Sequence, residues 1–173
     1  MGAHRLRDGT VVTIRAMSTE DADALVCFHE SLSPESQRLR FFGVHPHLAS
    51  AEVERFTRVD HRLREAFVVL RGGEILGVGR YDRLPDVTDA EVAFVTRDAF
   101  RGLGIASLLF RQLMVSAQAA GITRFVAETL PENRRMLGVS AATGLVSERT
   151  FGDGVVQVTM PLPEAGTDPG RQR

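Results

Sequence analysis

The 173-residue chain contains one cysteine, one tyrosine and no tryptophan, and its basic residues are arginine rather than lysine. A lone cysteine, Cys27, excludes an internal disulfide and a cysteine zinc cluster. Set between Leu25 and Phe28, it is expected as a small buried residue of a helix, not a reactive thiol. The opening MGAHRLRDGT lacks the apolar stretch of a secretory signal. No apolar run approaches the roughly 20 residues of a membrane span. The residues after Gly2 lack the Ser or Thr of a myristoylation signal. Net charge is −1 with both signs interspersed, which argues against nucleic acid or an anionic membrane as general partner. These absences together predict a cytoplasmic protein.

What is present suits an ordinary globular domain: 43% apolar residues, 25% charged, and enough chain to bury a core without disulfide or metal. A single domain is expected over 1–162. The last residues, 163–173, have no periodicity and are expected as a flexible tail.

Val11 to Ile14 read as a first strand. Ser18 with Asp21 forms a capping box ahead of a stripe of Leu25, Phe28 and Leu32. Ser33 and Pro34 open a second helix, and a third is expected from Ala51 to Arg58 behind Ser50. EAFVVL and EILGVGRY make a hairpin about Gly72-Gly73, and AEVAFVT follows as the next strand. A helix after RGLG carries Ile105, Leu109 and Leu113 on one side and stops at Gly121. RFVAETL is a strand, PENRRMLGVSAATG a helix, and LVSERTF with VVQVTMPL a closing hairpin. The order predicts an α/β (α+β) fold: a mixed, largely antiparallel sheet of six to seven strands with helices on both faces.

The stretch FRGLGIASLL places Gly102 and Gly104 at the mouth of a helix, where glycine costs about 1 kcal/mol against alanine in a helix interior. The unpartnered N–H groups and dipole of a helix start favour an anion, and glycine lets phosphate oxygens approach the backbone. A Walker loop would need Gly-Lys-Ser/Thr, which is absent. A dinucleotide loop would need a third glycine where Ser107 stands. The residues Arg101-Gly102-Leu103-Gly104-Ile105-Ala106 fit R/Q-x-x-G-x-G/A instead. This resembles the acyl-CoA pyrophosphate loop of the GNAT N-acetyltransferases.

AEVAFVT before the loop, RFVAETL after the helix, and Asn133, Gly144 and Leu145 at the two ends of ENRRMLGVSAATGL extend that resemblance along the chain. It implies a GNAT-like fold with a splayed pair of parallel strands and acetyl-CoA as co-substrate, with no metal. It implies cofactor contacts from Phe94, Val95, Thr96, Arg101, Gly102, Leu103, Gly104, Ile105, Ala106, Ser107 and Asn133. Two departures stand out. A basic residue is common in the family where Leu103 sits. The tyrosine that serves many relatives as general acid is replaced by Ser140, and the only tyrosine, Tyr81, is on another strand.

Acyl transfer needs a neutral amine, and a lysine is only about 0.1% neutral near pH 7.4. A carboxylate that takes the proton, directly or through a water, is expected. Glu91 is the candidate: alternation places it on the face of Ala93 and Val95, amid apolar neighbours whose partial burial of the carboxylate would raise its pKa. Glu128 is second. His45 and His47 read as loop surface; His61 with Asp60 reads as an ordinary loop or an acceptor rim.

Leu6 to Leu162, including LRDGTVVTIRAMSTEDADALVCFHESLSPESQRLRFFG, AEVAF and LPENRRML, is similar to the catalytic domain of Pat-type protein lysine acetyltransferases. The resemblance implies a protein lysine as substrate, an acyl-CoA synthetase among its targets, and Glu91 as catalytic residue. Such domains are often fused to a cyclic-nucleotide-binding or synthetase-like module; this chain is expected to act without one, as monomer or homodimer. A small-amine acetyltransferase and a non-catalytic acyl-CoA sensor are the alternatives.

Overall fold

The run Ala66 to Leu70 is apolar at every position, the pattern of a strand covered on both faces. A computed structural model describes residues 2–85, 87–142, 144–145 and 147–164, apart from the side chains of 140–142, and shows what covers it. The run belongs to β3 (Arg64–Arg71). Phe67 and Val69 point into one core, Ala66, Val68 and Leu70 into another. The first is closed by α4 (Ile105–Ala119) through Ile105, Leu109, Phe110 and Leu113. The second is closed by α1 (Ala22–Glu30) through Leu25 and Phe28. Helices cover both faces, as the pattern predicts.

The sheet has eight strands: β1 (Gly2–Arg5), β2 (Val11–Ala16), β3, β4 (Glu74–Arg83), β5 (Asp89–Thr96), β6 (Arg124–Thr129), β7 (Glu148–Gly152) and β8 (Val155–Pro161). Their spatial order is β1-β2-β3-β4-β5-β6-β8-β7, and among the described residues only β5 and β6 run parallel. Eight strands replace the six or seven expected. The additional one, β1, is exposed at all four positions and so carries no alternation to read. A turn folds it back on β2: the Thr10 N–H donates to Asp8 Oδ1 at 2.9 Å and the Leu6 N–H to the Thr10 carbonyl at 2.8 Å.

β5 pairs with β4 from Ala90 to Thr96. Its parallel pairing with β6 covers only Asp89 to Glu91, opposite Arg124 to Val126. Beyond Glu91 the two strands part, and the β6-facing edge of Val92 to Thr96 has no strand beside it.

The helix starts follow their caps. In α2 (Pro34–Phe41) the Ser33 hydroxyl accepts the Ser36 N–H at 3.3 Å. α3 (Ser50–Thr57) begins one residue earlier than expected, because the Glu52 carboxylate accepts the Ala49 N–H at 2.8 Å and draws Ser50 into the first turn. Cys27 is exposed, not buried. It lies two residues after Leu25, about 200° around the helix, and so faces away from the core. α5 (Arg134–Ala142) precedes the closing hairpin, whose turn uses positive φ at Asp153 and Gly154. From 165 onward the expected tail lies outside the described residues. Among the described residues no helix is long and apolar enough to cross a membrane.

The start of α1 is tied to β2 by charge. Asp21 is buried, receives Arg15 in a fork at 2.6 and 2.7 Å, and accepts the Ser18 N–H at 2.8 Å. The Arg15 hydrogen bonds hold its carboxyl below the ordinary 3.8 in spite of burial. A folded pKa below the unfolded one stabilises the protein fully above about pH 4, and that share is lost as pH falls through the folded value. Asp21→Asn should cost about 2 kcal/mol in urea unfolding near neutrality. Its stability should also fall less steeply than the parent's below about pH 4. Parallel acid profiles for the two proteins would remove Asp21 as the source.

Candidate active site

Between β5 and α4 a single 3₁₀ turn, Asp98–Phe100, leads into the glycine loop. Gly102 and Gly104 have φ of +74° and +100°, and a Cβ on either would meet nothing within 4 Å. The left-handed backbone requires glycine there, and the space above the loop is open. The first helical bond of α4 runs from the Leu108 N–H to the Gly104 carbonyl at 3.0 Å. The N–H groups of Ile105, Ala106 and Ser107 therefore lack intrahelical partners, at the positive end of a 15-residue helix.

These groups open into a cavity of about 360 Å³. Phe94, Val95 and Thr96 line it from the part of β5 beyond its pairing with β6, and Arg101, Gly102, Gly104, Ile105, Ala106 and Ser107 from the loop. Asn133 lines it from the start of α5. The Asn133 Oδ1 accepts the Met136 N–H at 3.2 Å and caps that helix, which leaves the amide NH₂ as its remaining donor. Leu103 is the exception among the expected loop residues. Its side chain packs on the core, and its carbonyl accepts the Arg7 N–H at 3.2 Å.

Arg7, Ser36 and Arg40 also line this cavity and had no signal in the sequence, because the β1–β2 turn and α2 bring them from far along the chain. Arg7 reaches across 95 residues to donate to the Gly102 carbonyl at 3.2 Å. Its guanidinium stands beside the loop where Leu103 offers no charge. Arg134 and Arg135 line it too, and their place next to Asn133 was the available signal. Asp98 ties α2 to the loop. Its carboxylate accepts the Ser33 N–H (3.0 Å), the Ser33 hydroxyl (2.7 Å) and the Ser36 hydroxyl (3.0 Å), and pairs with Arg101 at 2.6 Å. Burial pushes this carboxyl up, but those hydrogen bonds and the Arg101 charge outweigh it and hold it below 3.8.

A second, smaller cavity of about 40 Å³ lies under α1 on the same sheet face, with Arg80, Ala93 and Val95 in its wall. Arg40 and Val95 border both cavities. Glu91 is one alternate position beyond Ala93 and sits opposite Asp82 of β4, as alternation predicts. It is exposed and lines neither cavity, so the expected partial burial is absent. The covering side chains of α1 and α3 extend over Val95, Ala93 and Arg80 and stop short of it.

Glu128 is exposed on β6 and lines neither cavity. Tyr81 is fully buried in the α4-side core, where burial pushes its phenol up, and it reaches neither cavity. The Ser140 side chain lies outside the described residues. His45 is half-buried and stacked on Phe41 at 4.6 Å, not loop surface, whereas His47 is exposed. His61 is paired with Glu65 at 3.0 Å, and Asp60 caps the turn at Arg62 to Arg64. Gly144 turns the chain after α5 with φ +75°, and Leu145 packs on the α4-side core.

Residues 12–146 match the acetyltransferase (GNAT) domain. The chain belongs to that family. It is 30% identical over 168 residues to the acetyltransferase Pat of Mycolicibacterium smegmatis, covering 95% of this chain and 50% of that protein. The chain thus spans about half the length of that curated relative. The solved GNAT domain of S. lividans PAT superposes with a TM-score of 0.87 at 38% identity, covering 93% of this chain and 96% of that one. The fold, at 15% identity and a TM-score of 0.71, is also that of the Salmonella typhimurium acetyltransferase yncA, solved with its cofactor acetyl-CoA; 91% of this chain and 97% of that one are covered.

The free N–H groups, the open side of the glycines and the long cavity fit a GNAT acyl-CoA site. Gly104→Glu would place a bulky side chain in a left-handed position and an anion beside the free N–H groups of the helix start. Calorimetry should show CoA binding weakened by about 100-fold or more. Unchanged affinity in a folded variant would exclude the loop as phosphate site.

Proposed function

We propose that this domain transfers the acetyl group of acetyl-CoA directly to the side-chain amine of a protein lysine, with acyl-CoA synthetase-like enzymes as the target class. The observation that carries the reading is the β6-facing edge of β5 beyond Glu91, whose last residues Phe94 to Thr96 share one cavity with the bare helix start at Ile105. An extended, amide-bearing pantetheine arm is the complement of such an edge, and a pyrophosphate the complement of the helix start. The likeness to Pat in sequence and to the PAT GNAT domain in structure supports the choice of a lysine acceptor.

In this reading the N–H groups of Ile105, Ala106 and Ser107 hold the pyrophosphate, with Arg7 and Arg101 beside it. The Asn133 amide donates to the arm. The thioester then lies near the point where both cavities meet, and the amine arrives over the β5 face that Glu91 shares. Glu91 takes the amine proton directly or through one water, and its exposure favours the water route. The nitrogen attacks the carbonyl carbon, the C–N bond forms and the C–S bond breaks; CoA leaves as the thiolate, and the second proton that the nitrogen sheds on becoming an amide goes to solvent.

Glu91→Gln keeps the shape and removes the base. It should lower kcat by about 10² to 10⁴ while acetyl-CoA affinity stays near the parent value. The deficit should shrink as pH rises toward the lysine pKa near 10.4, because the amine then arrives neutral. Parental kcat at neutral pH, with chemistry rate-limiting, would exclude Glu91 and make Glu128 the next residue to replace. Mass spectrometry of lysines modified in an extract with acetyl-CoA tests the acceptor class.

A further inference from the structure

Two guanidinium groups stand in the wall of the smaller cavity without adequate counter-charge. Among the described residues the Arg40 guanidinium has no hydrogen-bond or ion-pair partner, and it lies 5.0 Å from the Phe41 ring. Arg80 lies 4.4 Å over the Phe56 ring. Its Nε is buried without a hydrogen-bond partner, and its Nη1 is 3.7 Å from Asp82 Oδ2, too far for a hydrogen bond. Asp82 is shared with Arg55 at 3.5 Å, and Arg64 adds further positive charge near Arg80. Among the described residues only Asp82 and the exposed Glu91 stand against these arginines.

The surroundings make this costly for the protein alone. Phe28, Phe56 and Val78 wall the cavity, and buried charges in proteins are ordinarily paired. Burial, and then the charge of Arg80, lowers the Arg40 pKa to about 10, which is the response of a cation short of an anion. A space of about 40 Å³ suits a group of carboxylate size, and the planar guanidinium fork matches a carboxylate in two-point contact.

We propose that Arg40 and Arg80 form a carboxylate subsite beside the transfer point, filled by a carboxylate on the acyl end of the donor or on the acceptor next to its amine. The location of the transfer point rests on the acetyl-transfer reading above. The bonds made and broken are unchanged: C–N forms, C–S breaks, the amine proton goes to Glu91 or solvent, and CoA leaves as thiolate. A dicarboxylic acyl-CoA would extend its free carboxylate into the smaller cavity. A lysine followed or preceded by an acidic residue would place its carboxylate there from the other side.

The test reads binding by calorimetry on the whole protein, so it does not depend on turnover. In the donor arm succinyl-CoA is compared with butyryl-CoA, which has a methyl in place of the carboxylate. In the acceptor arm, with CoA bound, a lysine peptide flanked by glutamate is compared with its glutamine counterpart. One arm should favour the carboxylated ligand by about tenfold or more, and that arm names the source. Arg40→Gln and Arg80→Gln should each collapse the ratio to within about threefold. Ratios within about threefold in both arms for the parent overturn the subsite, and so does a preference that survives both substitutions. Lysine acetylation assayed separately fails or succeeds on its own, so the loss of one reading is distinguishable from loss of the other.

Discussion

The parallel hydrogen bonding between β5 and β6 ends at Glu91 and Val126, and what the site contains follows from that break. Each strand is held on its outer side, β5 by β4 as far as Thr96 and β6 by β8 as far as Thr129. The gap therefore cannot close by one strand sliding onto the other. Backbone groups left along it carry a free-energy cost unless water or a ligand meets them. A ligand with its own amides at strand-like spacing removes the cost at both sides at once. The same break sends β5 onward alone into the glycine loop, so the exposed edge and the start of α4 are continuous.

That helix start is placed by contact between α4 and β4. A Cβ on Gly77 would come within 2.5 Å of the Ile105 side chain, and one on Gly79 within 3.0 Å of Phe94 and 3.1 Å of Leu109 and Leu113. Two glycines on alternate positions of β4 thus let α4 lie directly on the sheet. Ile105 is the first residue of α4, so the contact that seats the helix also fixes the N–H groups beside it. The Asp98 cluster does the equivalent on the other face, joining the start of α2 to Arg101 and so setting Arg40 against the loop. The glycine loop and α2 are registered to each other through one carboxylate.

Much of this was legible in the sequence where function and local pattern coincide. Gly102 and Gly104 advertise a backbone conformation, and Glu91 follows from simple alternation with Ala93 and Val95. β1 was illegible because all four of its residues face solvent. Arg7 and Arg40 were illegible for another reason: nothing local to either predicts a cavity formed by a loop some 60 to 95 residues distant. The burial expected of Glu91 and Cys27 failed in the same way. Apolar neighbours in sequence report which face a residue shares, but cover comes from helices whose reach is set by tertiary packing.

The exposure of Glu91 and the charge of Arg40 and Arg80 bear together on the amine. An ammonium approaching two guanidinium groups in apolar surroundings is disfavoured relative to the neutral amine, because like charge and desolvation both oppose the protonated form. The proton must be lost before or during that approach, and an exposed carboxylate at the outer end of the face is where an incoming ammonium meets a counter-charge first. The sequence of charges along the strands, carboxylates Asp82 and Glu91 outside and guanidinium Arg80 inside, then acts as a gradient. On the proposed reading it attracts the cation at the rim and, until a carboxylate occupies Arg40 and Arg80, disfavours the ammonium further in. A base buried at the bottom of the same groove would lose the first of these effects, which an exposed Glu91 keeps.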